Sequence, residues 1–251
     1  MTRAPETVRL AAVGDIHVTK TSQGALQPLM GAVNERADVL LLLGDLTDYG
    51  TPEEAQVLAK ELSTAHVPVV AVLGNHDFES EQPDEVARIL CEAGVTLLDG
   101  EATEIGGVGF AGAKGFCGGF GARSLEPWGE PTIKSFVREA VDEAMKLEKA
   151  LGRLRTPEKV VLLHYAPIAA TVEGEPCEIW PFLGSSRLED PINRLGATLV
   201  LHGHAHHGSP EGRTTSGIPV YNVSMPLLKK HAPDQRPFRL IELPVREPAT
   251  T

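Results

Sequence analysis

Short apolar runs alternate with stretches whose apolar residues recur every three or four positions, the pattern of strands interleaved with helices. Residues 8–13 read as a strand, 23–36 as a helix and 38–43 as a second strand, whose unbroken apolar run indicates burial on both faces. A βαβ unit therefore opens the chain. Thr51-Pro52-Glu53-Glu54 predicts a helix start: Thr51 caps, Pro52 suits the first helical position and Glu54 completes a capping box, with the helix running to about residue 64. A strand at 67–73, a helix at 84–93 and three short strands at 95–98, 102–105 and 108–111 follow, which are expected to continue the sheet with antiparallel pairing. Glycine dominates residues 112–131, which predicts a loop. A helix is expected at 133–151, with its charged face simply solvated, and strands at 160–163, 198–201, 219–223 and 238–243. Residues 244–251 read as a mobile tail. The alternation predicts an α/β fold, and no linker divides the chain, so 1–251 is expected to form a single domain.

Composition permits the core this pattern requires and narrows the function. The chain has 251 residues, is 42% hydrophobic and carries a net charge of −11. Extended binding to a nucleic-acid backbone or an anionic membrane needs a local excess of Lys and Arg, which this balance disfavours. Cys91, Cys117 and Cys177 make an odd count with no Cys-x-x-Cys pair, so neither a disulfide framework nor a thiolate zinc site is indicated. The apolar run at 10–13 is far shorter than a signal-peptide core, and no stretch approaches the roughly 20 residues of a membrane span. A soluble cytoplasmic protein is expected; its oligomeric state is open, and a homodimer is compatible with it.

The candidate chemistry lies where the strands end. Gly203-His204-Ala205-His206 follows the apolar run 197–201, and Gly14-Asp15-Ile16-His17, Gly44-Asp45, Gly74-Asn75-His76-Asp77 and His164 each follow another. In open α/β sheets the loops at the C-terminal ends of strands converge on one crevice, so distant positions become neighbours. Taken singly, Asp15, Asp45 or Asp48 is equally a turn or capping residue, and His164 or His202 equally a core histidine. Together they indicate a site for one or two metal ions.

In their order along the chain, Asp-x-His, Gly-Asp-x-x-Asp, Gly-Asn-His-Asp, the lone His164 and Gly-His-x-His resemble the calcineurin-like metallophosphoesterase family. The resemblance spans Gly14 to His206. It implies a four-layer αββα fold, two mixed β-sheets packed as a sandwich and flanked by helices. It also implies that Asp15, His17 and His206 hold one ion, that Asn75, His164 and His204 hold a second, and that Asp45 bridges them. The ions would be divalent or mixed-valence Mn, Fe, Zn or Co, among which oxygen and imidazole donors do not select. Two such ions roughly 3.5–4 Å apart share a hydroxide for in-line attack on phosphorus. By the same resemblance His76 protonates the leaving oxygen and Asp48 orients it, while Asp77 is expected to be structural.

Departures from the family's branches narrow the substrate. The Ser/Thr protein phosphatases carry Arg and Glu where this chain has Tyr49 and Asp77, which disfavours that activity. Gly44-Asp45-Leu46-Thr47-Asp48-Tyr49-Gly50 and Gly74-Asn75-His76-Asp77 instead resemble the bacterial cyclic-nucleotide phosphodiesterase branch. The expected activity is hydrolysis of a small, nucleotide-like phosphodiester. A phosphomonoesterase or nucleotide pyrophosphatase is the alternative, and a non-catalytic scaffold is disfavoured because every motif position is filled. Segments 112–131 and 171–186, the latter with Trp180, Pro181 and Phe182, are expected to wall the pocket; these aromatics either stack a base or anchor the loop. Lys114 and Arg123 read as solvated surface charges. His202 and His207 flank the ligand pair and either support it or simply pack, and His66 and His231 carry no site signal.

Overall fold

The computed structural model describes residues 6–231 and 237–245. β1 (Glu6–Val13) leads through α1 (Gln27–Arg36) to β2 (Val39–Leu43), and α2 (Pro52–Leu62) leads to β3 (Val69–Val72). α3 (Pro83–Glu92) and the short β4 (Thr96–Leu97) complete the first half. β5 (Glu101–Ile105) and β6 (Val108–Gly112) form a hairpin, after which the glycine loop reaches α4 (Pro131–Arg153) and β7 (Glu158–Leu162). α5 (Trp180–Leu183) and α6 (Glu189–Leu195) precede β8 (Leu199–His202), followed by β9 (Glu211–Arg213), β10 (Pro219–Asn222), α7 (Met225–His231) and β11 (Arg239–Val245).

The strands form two mixed sheets, ordered β11-β1-β2-β3-β4 and β5-β6-β7-β8-β10-β9. β1 to β4 run parallel, as do β6, β7, β8 and β10, while β11, β5 and β9 are antiparallel edges. The unbroken apolar runs have a direct cause. In β2, Leu40 and Leu42 pack against α1, α2 and α3, whereas Val39, Leu41 and Leu43 face Phe110, Leu162 and Leu201 of the other sheet. Successive side chains point to opposite faces, so a strand covered on both sides needs apolar residues throughout. The outer face of the second sheet is closed by α4 and α6, where Leu147, Leu151 and Ile192 meet Val161 and Val200. The layers are therefore helix, sheet, sheet, helix, as in metallophosphoesterases. Among the described residues no helix is long and apolar enough to cross a membrane.

Local chemistry sets the boundaries. The capping box of α2 forms as expected, with Thr51 accepting from the Glu54 amide and Glu54 accepting from the Thr51 amide. α1 begins at Gln27 rather than at residue 23, because Gly24 adopts a left-handed conformation and Pro28 belongs in a first turn. Of the expected tail, Pro244 and Val245 lie in β11, opposite Thr7 and Glu6, and residues 246–251 lie outside the described residues. Pro244 fits there because an edge strand does not need every N–H. Three charges depart from the solvated reading. Glu143 of α4 is buried and accepts from the Gly115 amide; Lys146 bonds it; and Lys114 is buried among the rings of Phe78, Phe116 and Tyr165. The three cysteines are free.

Candidate metal centre and active site

Five parallel strands, three from one sheet and two from the other, end on the same side of the sandwich. β1 delivers Asp15 and His17, β2 delivers Asp45 and Asp48, β3 delivers Asn75 and His76, β7 delivers His164, and β8 delivers His204 and His206. Each chain segment must turn sharply on leaving its strand. Asp15, His17, Asp45 and His204 have φ of 57°, 43°, 47° and 68°, and among the described residues Glu81 is the other non-glycine residue at positive φ. L side chains rarely adopt this conformation, and its concentration here marks backbone held in a strained form by its surroundings. Glycine permits the close packing between these loops. A Cβ on Gly44 would enter the His164 ring, and one on Gly74 would strike the Asp45 carboxylate and amide.

Asp77 bolts two of the loops together. Its fully buried carboxylate accepts from the amides of Leu46, Thr47 and Gly74, at 3.2, 2.8 and 2.8 Å, and from the Thr47 hydroxyl at 2.6 Å. Burial raises its pKa, and the surrounding donors pull against that shift. The expected structural role of Asp77 matches this placement.

Within the crevice three overlapping sets of donors converge, one of them His17, Asp45 and His76. Asp15, His17 and His206 offer ligand atoms within 4.8 Å of one another, as do Asp45, His164 and His204. Asp15 Oδ1 accepts from His206 Nε2 at 2.9 Å, and the same carboxylate accepts from the His204 amide. Asp45 also reaches across to the set of Asp15, His17 and His206, its Oδ1 3.3 Å from His164 Nε2 and its Oδ2 3.9 Å from His17 Nε2. Asn75 Oδ1 is 2.9 Å from His164 Nε2. His164 Nδ1 lies 3.0 Å from the Leu43 carbonyl, and donation to it orients the ring so that Nε2 faces Asp45 and Asn75. His204 Nε2 likewise meets the Phe182 carbonyl at 3.2 Å.

His76 is reached by Asp48, though not through the carboxylate. His76 Nδ1 donates to the main-chain carbonyl of Asp48 at 2.7 Å, whereas Asp48 Oδ1 lies 3.2 Å from Nδ1 of His17. That His17 nitrogen is buried and makes no aligned hydrogen bond. The His76 amide donates to Asp45 Oδ1 at 2.8 Å, and its ring meets that of His17 edge-on at 4.6 Å.

Protonation follows the packing. Burial lowers the His164 pKa, but the Asp45 carboxylate outweighs it and holds the imidazole at about 9. Burial also opposes ionisation of Asp45, yet His164 and the His76 amide keep its carboxyl far below the usual range. Burial, with the charge of His164, takes His204 down to about 4, and the hydrogen bond to Asp15 raises His206. A protonated His164 thus stands beside Asp45 in the ion-free chain. A set of imidazoles and carboxylates with a buried ring nitrogen lacking an aligned partner suits a first-row transition ion, whose arrival would displace that proton.

Several contributors give no sequence signal. Phe182 acts through its carbonyl, which any residue has. Tyr165 packs its ring 4.5 Å from that of His204. Asn222 does have a readable position, the C-terminal end of the parallel strand β10. Its Nδ2 donates to the Ala205 carbonyl at 2.7 Å and its Oδ1 accepts from the Ser224 amide, bracing the loop between His204 and His206. His202, also buried, lies behind this loop with Nε2 2.8 Å from the Thr171 hydroxyl, while His207 is exposed.

Comparison with known proteins agrees with this architecture. A probable cyclic nucleotide phosphodiesterase of Synechococcus sp. is 25% identical over 223 residues, covering 82% of this chain and 76% of that protein. The phosphopantetheinyl hydrolase of Mycobacterium tuberculosis shares the fold with a TM-score of 0.67 at 16% identity, over 92% of this chain and 95% of its own. TT1561 of Thermus thermophilus superposes with a TM-score of 0.57 at 19% identity, over 96% and 100% of the two chains. The calcineurin-like phosphoesterase family matches residues 8–208, a span that includes every donor described above. The chain therefore belongs to that metal-dependent family and is a phosphoric ester hydrolase.

Proposed function

We propose that this chain is a dinuclear phosphodiesterase acting on a small, nucleotide-like diester. Asp15, His17 and His206 would hold one transition-metal ion, Asn75, His164 and His204 the other, with Asp45 shared. The observation that carries this reading is the placement of Asp45, which shares one donor set with His164 and His204 and another with His17, itself grouped with Asp15 and His206. Bound dications supply positive charge for the phosphoryl oxygens and a nucleophile available at neutral pH. The donors come from both sheets, so the chain works as one catalytic domain.

His76 supplies the leaving-group proton. Its Nδ1–H is committed to the Asp48 carbonyl, which fixes the ring and leaves Nε2 as the atom that delivers the proton to the departing oxygen. Asp48 thereby orients His76 through its main chain, while its carboxylate steers His17. The diester preference is supported by the Synechococcus relative and by the motif spelling around Asp45 and Asn75.

The test is metal analysis of the purified protein, then turnover of bis-p-nitrophenyl phosphate with added Mn and of a panel of cyclic nucleotides, linear diesters and monoesters. Bound transition metal with diester turnover exceeding that of the matched monoesters is expected. Absence of both metal and turnover would sink the reading.

A further inference from the structure

Beside the metal centre lies a cleft of about 620 Å³, within the size range of small-ligand pockets. Its composition is unusual for this chain. The protein has only two tryptophans and seven phenylalanines, yet Trp128, Trp180, Phe120, Phe136 and Phe182 all line this one cleft. Trp128 and Phe182 are 60% and 59% exposed, an expensive way to display large rings that no neighbour covers. Trp180 spends its indole N–H internally, on the Glu175 carbonyl at 3.0 Å, which holds its ring in place.

The cleft is fastened to the catalytic crevice. Its wall residue Phe182 accepts from His204 Nε2, and Gly184, two positions on, bridges Ala166 just beyond His164. The glycine loop joins the same wall, Gly118 donating to the Pro181 carbonyl at 2.7 Å and Gly119 to that of Gly184 at 2.9 Å. A group attached to a phosphorus held at the metal centre therefore has this cleft as an adjoining apolar surface.

We propose that the cleft is a nucleobase subsite that recognises the face of the ring rather than its edge. This assignment rests on the phosphodiesterase reading for the position of the phosphate. An alkyl occupant would be served equally by Leu and Val, which supply the core elsewhere; five aromatic rings and the guanidinium of Arg123 instead match a planar π-system. Arg123 is the one charged side chain among the described lining residues, so the cleft offers few groups to read base identity. The subsite accepts purines and pyrimidines alike, favouring purines through their larger stacking face.

Both tryptophans line the cleft, so intrinsic tryptophan fluorescence reports its occupancy independently of turnover. Titration of the protein as purified with AMP should quench emission saturably, whereas ribose 5-phosphate should not, and octyl phosphate should compete poorly. Trp128→Ala should weaken AMP binding about tenfold, the scale of one lost stacking contact, and Trp128→Phe should recover most of it. Equal quenching by ribose 5-phosphate, stronger binding of octyl phosphate, or unaltered AMP affinity in Trp128→Ala would each overturn the subsite. The two readings fail separately. AMP binding without diester hydrolysis leaves the subsite standing and removes the phosphodiesterase reading, while diester turnover with a KM unchanged on removing the base from the substrate does the reverse.

Discussion

At the metal centre the main chain aims the side chains. Asp15, His17, Asp45 and His204 are held in left-handed backbone, glycines let neighbouring loops close to contact, and Asp77 ties the β2 and β3 loops together. In the aromatic cleft the rings come from the glycine loop, α4 and α5, and two of them stand open to solvent. The contrast follows from what each region must do. Donor atoms around an ion tolerate little error, so the backbone is spent on fixing them; a stacking surface needs area and tolerates displacement. The centre should therefore be brittle to substitution and the cleft graded.

The strongest tests strike the centre. Chelation of bound metal, or Asp45→Asn, should reduce phosphodiesterase turnover to background, with metal restoring the chelated protein and not the variant; substantial residual turnover in Asp45→Asn would end the claim that both ions depend on this carboxylate. His76→Ala should lower kcat by about 10²- to 10⁴-fold on a diester with an alkoxide leaving group, and far less on a p-nitrophenyl ester, which needs no proton. Equal losses on both substrates would show His76 to be positioning rather than proton-donating. Asp77→Ala leaves three buried amides without their acceptor and should cost at least roughly 3 kcal/mol in chemical denaturation. A loss below about 1 kcal/mol would show that the loops are held by packing alone.

Weaker perturbations sharpen the comparison. Asn222→Ala should reduce metal affinity about 10- to 100-fold, measured by competition with a chromophoric chelator, because the loop bearing His204 and His206 loses its brace. The smallest effect concerns His202, whose burial lowers its pKa to about 4. The unfolded chain takes up that proton first, so stability falls as pH drops from about 6.5 towards 4. Thermal unfolding of metal-free protein at pH 7 and pH 5 should show this loss, with a shallower slope in His202→Gln; parallel slopes would exclude His202 as its source.

The same division governs what can be read from sequence. β2 is legible because a strand buried on both faces leaves an unbroken apolar record, and α2 because Thr51, Pro52 and Glu54 write its cap in side chains. The donor residues are legible through motifs at strand ends. What escapes is carried by main chain or by distant partners. Asp48 reaches His76 by a carbonyl, which has no signature, and Lys114 reads as surface until Phe78, Phe116 and Tyr165 enclose it. Pro244 argues for an end to order, yet an edge strand has room for it. In the cleft, segments 112–131 and 171–186 are both expected, and with them Phe120, Trp128, Trp180 and Phe182, but Phe136 of α4 joins only through tertiary packing.

The bond between Asp15 and His206 joins residues 191 positions apart, and β1 has its second neighbour only once β11 is in place. During synthesis the N-terminal half can bury its helices against one sheet long before the last donors leave the ribosome. A nascent chain therefore passes through a long interval in which Asp15 and His17 exist without His206, and Asp45 and Asn75 without His164 and His204. Of the three donor sets, only that of His17, Asp45 and His76 is complete early; the sets that use His164, His204 and His206 wait for the second half of the chain and for the two sheets to meet.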